Sequence, residues 1–144
     1  HQMEALVEEH LKNACVEYYK EMYLTEIENK WNIDLSAVSA KGTSTKRWDF
    51  VVKTKSKIFV IETNFYASSG SKLNETARSY KMIAEEAKEI PNFEFVWITD
   101  GAGWKDAKRN LEETFIVLEN LYNITEYSDL FFLLINENNL LENR

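Results

Sequence analysis

Two acidic residues stand in apolar surroundings where neither improves packing: Asp49 in RWDFVVKT and Glu62 in IFVIETNF. Both segments are rich in Val, Ile and Phe, which predicts strands over residues 48–54 and 57–64. A symmetric turn centred on Lys55 and Ser56 sets residue 53 against 58, 51 against 60 and 49 against 62. Directly opposed side chains in an antiparallel pair have Cβ atoms roughly 5 Å apart, and like charges there weaken the sheet. The period of two also puts Asn64 on the face that carries Glu62. A divalent cation would resolve the repulsion, and Mg²⁺ suits a site of few carboxylate oxygens completed by waters and phosphate oxygens. The alternative is a turn that slips the register by one, which sends the two acids to opposite faces as ordinary surface residues. Lys-Ser is a weak turn signal, so spacing alone leaves both arrangements open.

The remaining elements must position this pair. Apolar residues at steps of three and four predict a helix over residues 3–22, with a further helical piece reaching Trp31. Residues 32–47 are polar and contain Gly42; they read as a loop holding one short strand near residues 35–39. Ser71 is a candidate N-cap for a helix over residues 72–89, with Leu73, Ala77, Tyr80, Ala84 and Ala87 facing inward, and Pro91 and Asn92 end it. FEFVWIT (93–99) reads as a central strand, DGAGW as a turn and cap, and residues 104–122 as another helix. The apolar run at 130–135 fits a strand, a helical turn or a subunit contact equally well. This order implies an α/β fold: a mixed β-sheet with an antiparallel hairpin and a parallel crossover, flanked by helices.

A chain of 144 residues suits a single domain, and no apolar run approaches the roughly 18 residues of a membrane span. The single Cys15 lies in a helical pattern and reads as a buried structural thiol, consistent with a reducing, cytoplasmic setting. The chain begins with His1, which suggests an excised domain or a tag remnant. A net charge of -7 argues against a generally basic nucleic-acid binder, yet the charge is uneven. Lys41, Lys46, Arg47, Lys53, Lys55 and Lys57 surround the single anion Asp49, whereas from Glu112 onward seven acids are opposed only by Arg144.

Asp49, twelve intervening residues and then Glu62-Thr63-Asn64 resemble the PD-(D/E)xK nuclease core. The blocks KRWDFVVKT, FVIETNFYASSGSKLNETARSYK and FVWITDGAGWKDAKRNLEETF are together similar to the MboI/DpnII family of type II restriction endonucleases, which cut duplex DNA at GATC. Complete members are longer, so the resemblance implies a single endonuclease-like domain corresponding to their C-terminal catalytic core. It further implies that Asp49 and Glu62 bind Mg²⁺ and that Asn64 replaces the usual motif lysine. An amide cannot supply an ammonium's charge, but it can orient a water by hydrogen bonds. Glu4, at the start of the first helix, stands where many nucleases of the superfamily add a further acid; the plain reading is a helix N-terminal acid favoured by the macrodipole.

With duplex DNA as the implied partner, the contact candidates are Lys41, Lys46 and Arg47 before Asp49, and Lys72, Asn74 and Arg78 after Asn64. Arg78 also fits a solvated helix face with Lys81, Glu85 and Lys88. His10 has no acid partner evident in the sequence and reads as structural, and Trp48, Trp97 and Trp104 lie in core-like patterns. Cutting both strands implies a homodimer, with residues 130–141 as one contact candidate. Two other readings are a DNA-binding or dimerisation module that has lost cleavage through truncation, and an acidic protein-interaction domain.

Overall fold

The computed structural model describes residues 2–38, 47–65, 71–100 and 121–123. A five-stranded mixed sheet runs in the order β1-β2-β3-β4-β5, formed by Glu17–Tyr23, Arg47–Lys53, Ile58–Phe65, Phe93–Asp100 and Leu121–Asn123. β1, β2 and β3 are antiparallel neighbours, while β4 and β5 each run parallel to the strand before them. The expected hairpin and parallel crossover are both present. Helix α3 (Ser71–Ala87) makes the crossover between β3 and β4.

The β2–β3 turn resolves the choice of register. Thr54 N–H donates to the Lys57 carbonyl at 2.9 Å, and Lys57 N–H donates to Thr54 Oγ1 at 3.0 Å, which closes a two-residue loop of Lys55 and Ser56. Lys53 then faces Ile58, Val51 faces Val60 and Phe50 faces Ile61, the symmetric register.

Two cores cover the sheet. On one face Val7 and Leu11 of α1 (Gln2–Asn13) pack on Phe50, Val52, Phe59, Ile61, Val96 and Ile98. On the other, the inner face of α3 and residues Leu24 and Ile27 of α2 (Leu24–Trp31) pack on Val51, Val60, Phe95 and Trp97. Leu73, Ala77, Tyr80, Ala84 and Ala87 are the buried residues of α3, as its periodicity predicts. Asn92, at φ 60°, turns the chain into β4.

Four expectations change. Residues 17–22 are not helix: α1 stops at Asn13, Cys15 takes a left-handed conformation at φ 56°, and β1 follows. Ala14, Tyr18 and Met22 are four apart and mimic a helical stripe, but pairing with β2 satisfies the backbone of this Tyr-rich stretch, and packing against a neighbouring strand outweighs so weak a local preference. Cys15 is accordingly exposed rather than buried. Residues 35–38 form a turn closed by Val38 N–H to the Leu35 carbonyl at 3.0 Å, and no strand. Leu121 and Tyr122 lie in β5, so the helix expected over 104–122 does not extend that far; its earlier part and the run at 130–135 fall outside the described residues. Among the described residues no helix is long and apolar enough to cross a membrane.

Candidate active site

Alternation along β3 carries Ile58, Val60, Glu62 and Asn64 on the α3 side of the sheet. Alternation along β2 is interrupted at Asp49. Trp48 and Val51, three apart, both join the α3-side core, and in β1 Met22 and Tyr19 do the same. Lys20 pairs with Phe50 and Met22 with Trp48, so the β1–β2 register survives the interruption, which falls between Glu21 and Asp49. Glu21 absorbs it in a left-handed conformation at φ 55°, unusual for a non-glycine residue in a strand. Such distortions re-aim side chains, and here the re-aimed position is Asp49.

Beyond the Phe50–Ile61 pair the two carboxylates replace ordinary ladder bonds. Thr63 N–H donates to Asp49 Oδ2 at 2.8 Å, and the Thr63 hydroxyl donates to the same oxygen at 3.2 Å. In return Asp49 N–H donates to Glu62 Oε2 at 3.2 Å. Each acid is thus fixed by a main-chain donor of the other's strand. Glu62 is only 3% exposed, whereas Asp49 is half-buried. The arrangement holds two hard oxygen donors side by side at the carboxyl end of β3, where ligand crevices of open α/β sheets commonly lie.

Asn64 continues this row. The Trp97 indole N–H donates to Asn64 Oδ1, and Asn64 Nδ2 lies 3.5 Å from the Tyr80 hydroxyl. Tyr80 and Trp97 pack edge to face with ring centroids 4.8 Å apart. The sequence places these two aromatics in the core without connecting them to the site, and it names Thr63 within the motif without giving it a role. For Thr63 the signal was its position between Glu62 and Asn64; for Trp97, 33 residues from Asn64, local sequence offers none.

The other candidates are dispersed. Glu4 lies in the first turn of α1, the helix that covers the opposite face of the sheet, and its charge acts on Lys20. Among the described residues no three His, Cys, Asp or Glu side chains gather around a common metal position, so Glu4 is not drawn in with Asp49 and Glu62. Arg47 is exposed two residues before Asp49, with a guanidinium nitrogen 3.7 Å from Glu21 Oε1. Lys72 and Arg78 are exposed and Asn74 is half-buried, all on turns of α3 between its start and Tyr80. Lys41 and Lys46 fall outside the described residues. His10 is half-buried in the last turn of α1.

Away from the carboxylates, Glu8 binds α1 to β1 through Lys20 Nζ at 3.1 Å and the Tyr18 hydroxyl at 3.0 Å. The Lys20 hydrogen bond, followed by that of Tyr18, holds the Glu8 carboxyl below its ordinary range. Burial, reinforced by Glu8, pushes the Tyr18 phenol up. A groove lined by Lys57, Lys88, Pro91 and Glu94 opens at the far end of β3 and β4 and takes no part in the site.

No solved structure matches the chain. It is 54% identical to the type II restriction enzyme DpnII of Streptococcus pneumoniae over 125 residues, which are 87% of this chain and 40% of that enzyme. It is 44% identical to the type II restriction enzyme MboI of Moraxella bovis over 112 residues, 78% of this chain and 37% of that enzyme. To the type II restriction enzyme MjaIII of Methanocaldococcus jannaschii it is 36% identical over 86% of this chain and 45% of that enzyme. The chain therefore spans less than half the length of each of these relatives. Asp49, Glu62 and Asn64 all lie inside residues 1–132, the stretch matched by the DpnII restriction endonuclease family, and the chain belongs to that family.

Proposed function

We propose that this chain carries the catalytic core of a type II restriction endonuclease that hydrolyses phosphodiester bonds in duplex DNA with Mg²⁺, at GATC. The observation that supports this most directly is the reciprocal fixing of Asp49 and Glu62 by each other's strands. Holding two carboxylates together in the absence of a cation costs stability, and a binding role accounts for that cost. Two carboxylates with no third His, Cys, Asp or Glu gathered beside them among the described residues also match the habit of Mg²⁺, which keeps waters and substrate oxygens in its shell.

When bound, the ion would polarise the scissile phosphate, make a water a better nucleophile and neutralise the leaving oxygen. The residues would do the rest. Asp49 and Glu62 orient their oxygens through Thr63 and the strand backbone, so little rearrangement accompanies binding. Asn64 projects from the same strand face toward the reacting group. Arg47, Lys72 and Arg78, with Lys41 and Lys46, neutralise backbone phosphates on either side of the carboxylates, and Asn74 adds a neutral hydrogen-bonding contact. Glu4 would act as an outlying acid rather than a direct ligand. Two copies acting on the two strands of a cytoplasmic duplex make a homodimer the working unit.

The test is cleavage of duplex DNA containing GATC by the intact protein and by Glu62→Ala, with folding followed by circular dichroism. The reading requires loss of cutting by a folded variant; undiminished cutting would reject it. A second reading, a DNA-binding or dimerisation module without cleavage, draws on the chain's spanning only 40% of the DpnII enzyme's length. Mg²⁺-independent DNA binding by a parent that never cuts would favour it.

A further inference from the structure

The third residue of the row, Asn64, can act on a substrate through its amide oxygen or through its amide nitrogen, and the two serve opposite purposes. An oxygen accepts a hydrogen bond from water or coordinates a cation, whereas an N–H group stabilises developing negative charge. The surroundings of Asn64 decide between them. The indole N–H of Trp97 is only a donor, so the Asn64 atom facing it must be the oxygen. Trp97 is fully buried, and an amide flip would leave its N–H against another donor with no water to replace the bond. The flip is closed off. On the other side Nδ2 has two N–H groups, of which the Tyr80 hydroxyl, 3.5 Å away, takes at most one. Asn64 is itself only half-buried, so its side chain is not closed off from a ligand.

Resting on the nuclease reading above, we propose that Trp97 and Tyr80 are positioning residues that lock Asn64 as an N–H donor toward a non-bridging oxygen of the scissile phosphate. Trp97 sits directly beside Glu62 in the β3–β4 ladder, so the lock is part of the sheet that carries the carboxylates. The motif position filled elsewhere by lysine thus keeps a donor, without the charge. The buried indole supplies the orientation that a symmetric ammonium does not need.

The experiment has a metal-free arm and a cleavage arm, both on the intact protein. In the first, the Trp97 indole resonance of isotope-labelled protein is assigned by its disappearance in Trp97→Phe. It should shift upfield in Asn64→Leu and stay near its parental position in Asn64→Asp, which keeps an acceptor oxygen. In the second, Asn64→Asp, which keeps the indole's partner and removes the donor, should lower cutting by about tenfold or more. Trp97→Phe should lower kcat roughly fivefold to tenfold with KM for DNA unchanged, the worth of one hydrogen bond. Added to Asn64→Asp, it should cost nothing further, because the orientation it maintains no longer matters. An indole resonance unmoved in folded Asn64→Leu, parental cutting by Asn64→Asp, or a parental kcat in Trp97→Phe would overturn the inference and leave the nuclease reading in place. Undiminished cutting by Glu62→Ala in the same assay would overturn that reading instead, together with the catalytic part of this one.

Discussion

Replacing Glu62 by Gln should make the metal-free protein more stable while removing its response to divalent ions. Glu62 is 3% exposed and its Oε2 accepts the Asp49 N–H at 3.2 Å. A Gln side chain has nearly the same shape and keeps an acceptor oxygen for that N–H, so the contact survives as a neutral hydrogen bond. The change weakens the bond by about 1 kcal/mol. Against this, two like charges repel by roughly 3 kcal/mol at the effective dielectric that suits such sites if their separation is taken as about 5 Å, the spacing of opposed Cβ atoms. The balance is a gain of about 1 to 2 kcal/mol without metal, which corresponds to a rise in Tm of roughly 3 to 8 °C for a chain of this size. In the parent, a metal at a hundred times its Kd adds about 2.7 kcal/mol, and in Glu62→Gln most of that increment should vanish. Thermal unfolding of the intact protein and the variant, each with EDTA and with Mn²⁺ or Mg²⁺, measures all four states. A variant less stable than the parent in EDTA would refute the repulsion argument. Equal increments from metal in both proteins would show that Glu62 holds no cation.

Three further outcomes are expected. Lys72→Ala should weaken DNA binding almost uniformly across sequences and reduce the slope of log affinity against log salt by about one, as measured by fluorescence anisotropy over a salt series. Phe59→Ala removes a fully buried ring from the α1-side core and should cost about 3 to 5 kcal/mol in denaturant unfolding, with little change in the slope of the transition. Glu8, whose ordinary value is 4.5, is held lower when folded, first by its hydrogen bond to Lys20 and then by that to Tyr18. A depressed folded value means that the Glu8 contribution is present above its unfolded value and is lost as pH falls through the folded one. Lys20→Met should therefore raise the Glu8 titration midpoint followed by NMR and flatten the acid limb of the stability profile; an unmoved midpoint would show that the ion pair does not form in solution.

Several features of the molecule are local enough to be read along the chain. Val, Ile and Phe on either side of Lys55-Ser56 specify a hairpin, and in the structure the Thr54 hydroxyl closes the turn in the register that sets Phe50 against Ile61. The inner face of α3 follows from a period of 3.6, because one helix must turn one apolar stripe toward one sheet face. An acid in each of two neighbouring strands was legible for the same reason, but whether the two acids face each other was left open until the turn's hydrogen bonds fixed the register.

Where neighbours from elsewhere in the chain outweigh local preference, the sequence was silent or misleading. Ala14, Tyr18 and Met22 fit a helix by spacing, and only the six-pair ladder with β2 makes residues 17–23 a strand. The break in alternation at Glu21 and Asp49 leaves no mark in composition, since it depends on two strands distorting together. Likewise, an asparagine in ETN reveals nothing of which way its amide points. That is set by a buried indole on the next strand, which can only donate, and by a phenol on the helix above. Candidates for the chemistry can be named along the chain, because residue type and short-range period are local properties. The tertiary structure decided how their atoms are aimed, because the hydrogen-bond partners that aim them come from other strands and from the helix packed over them.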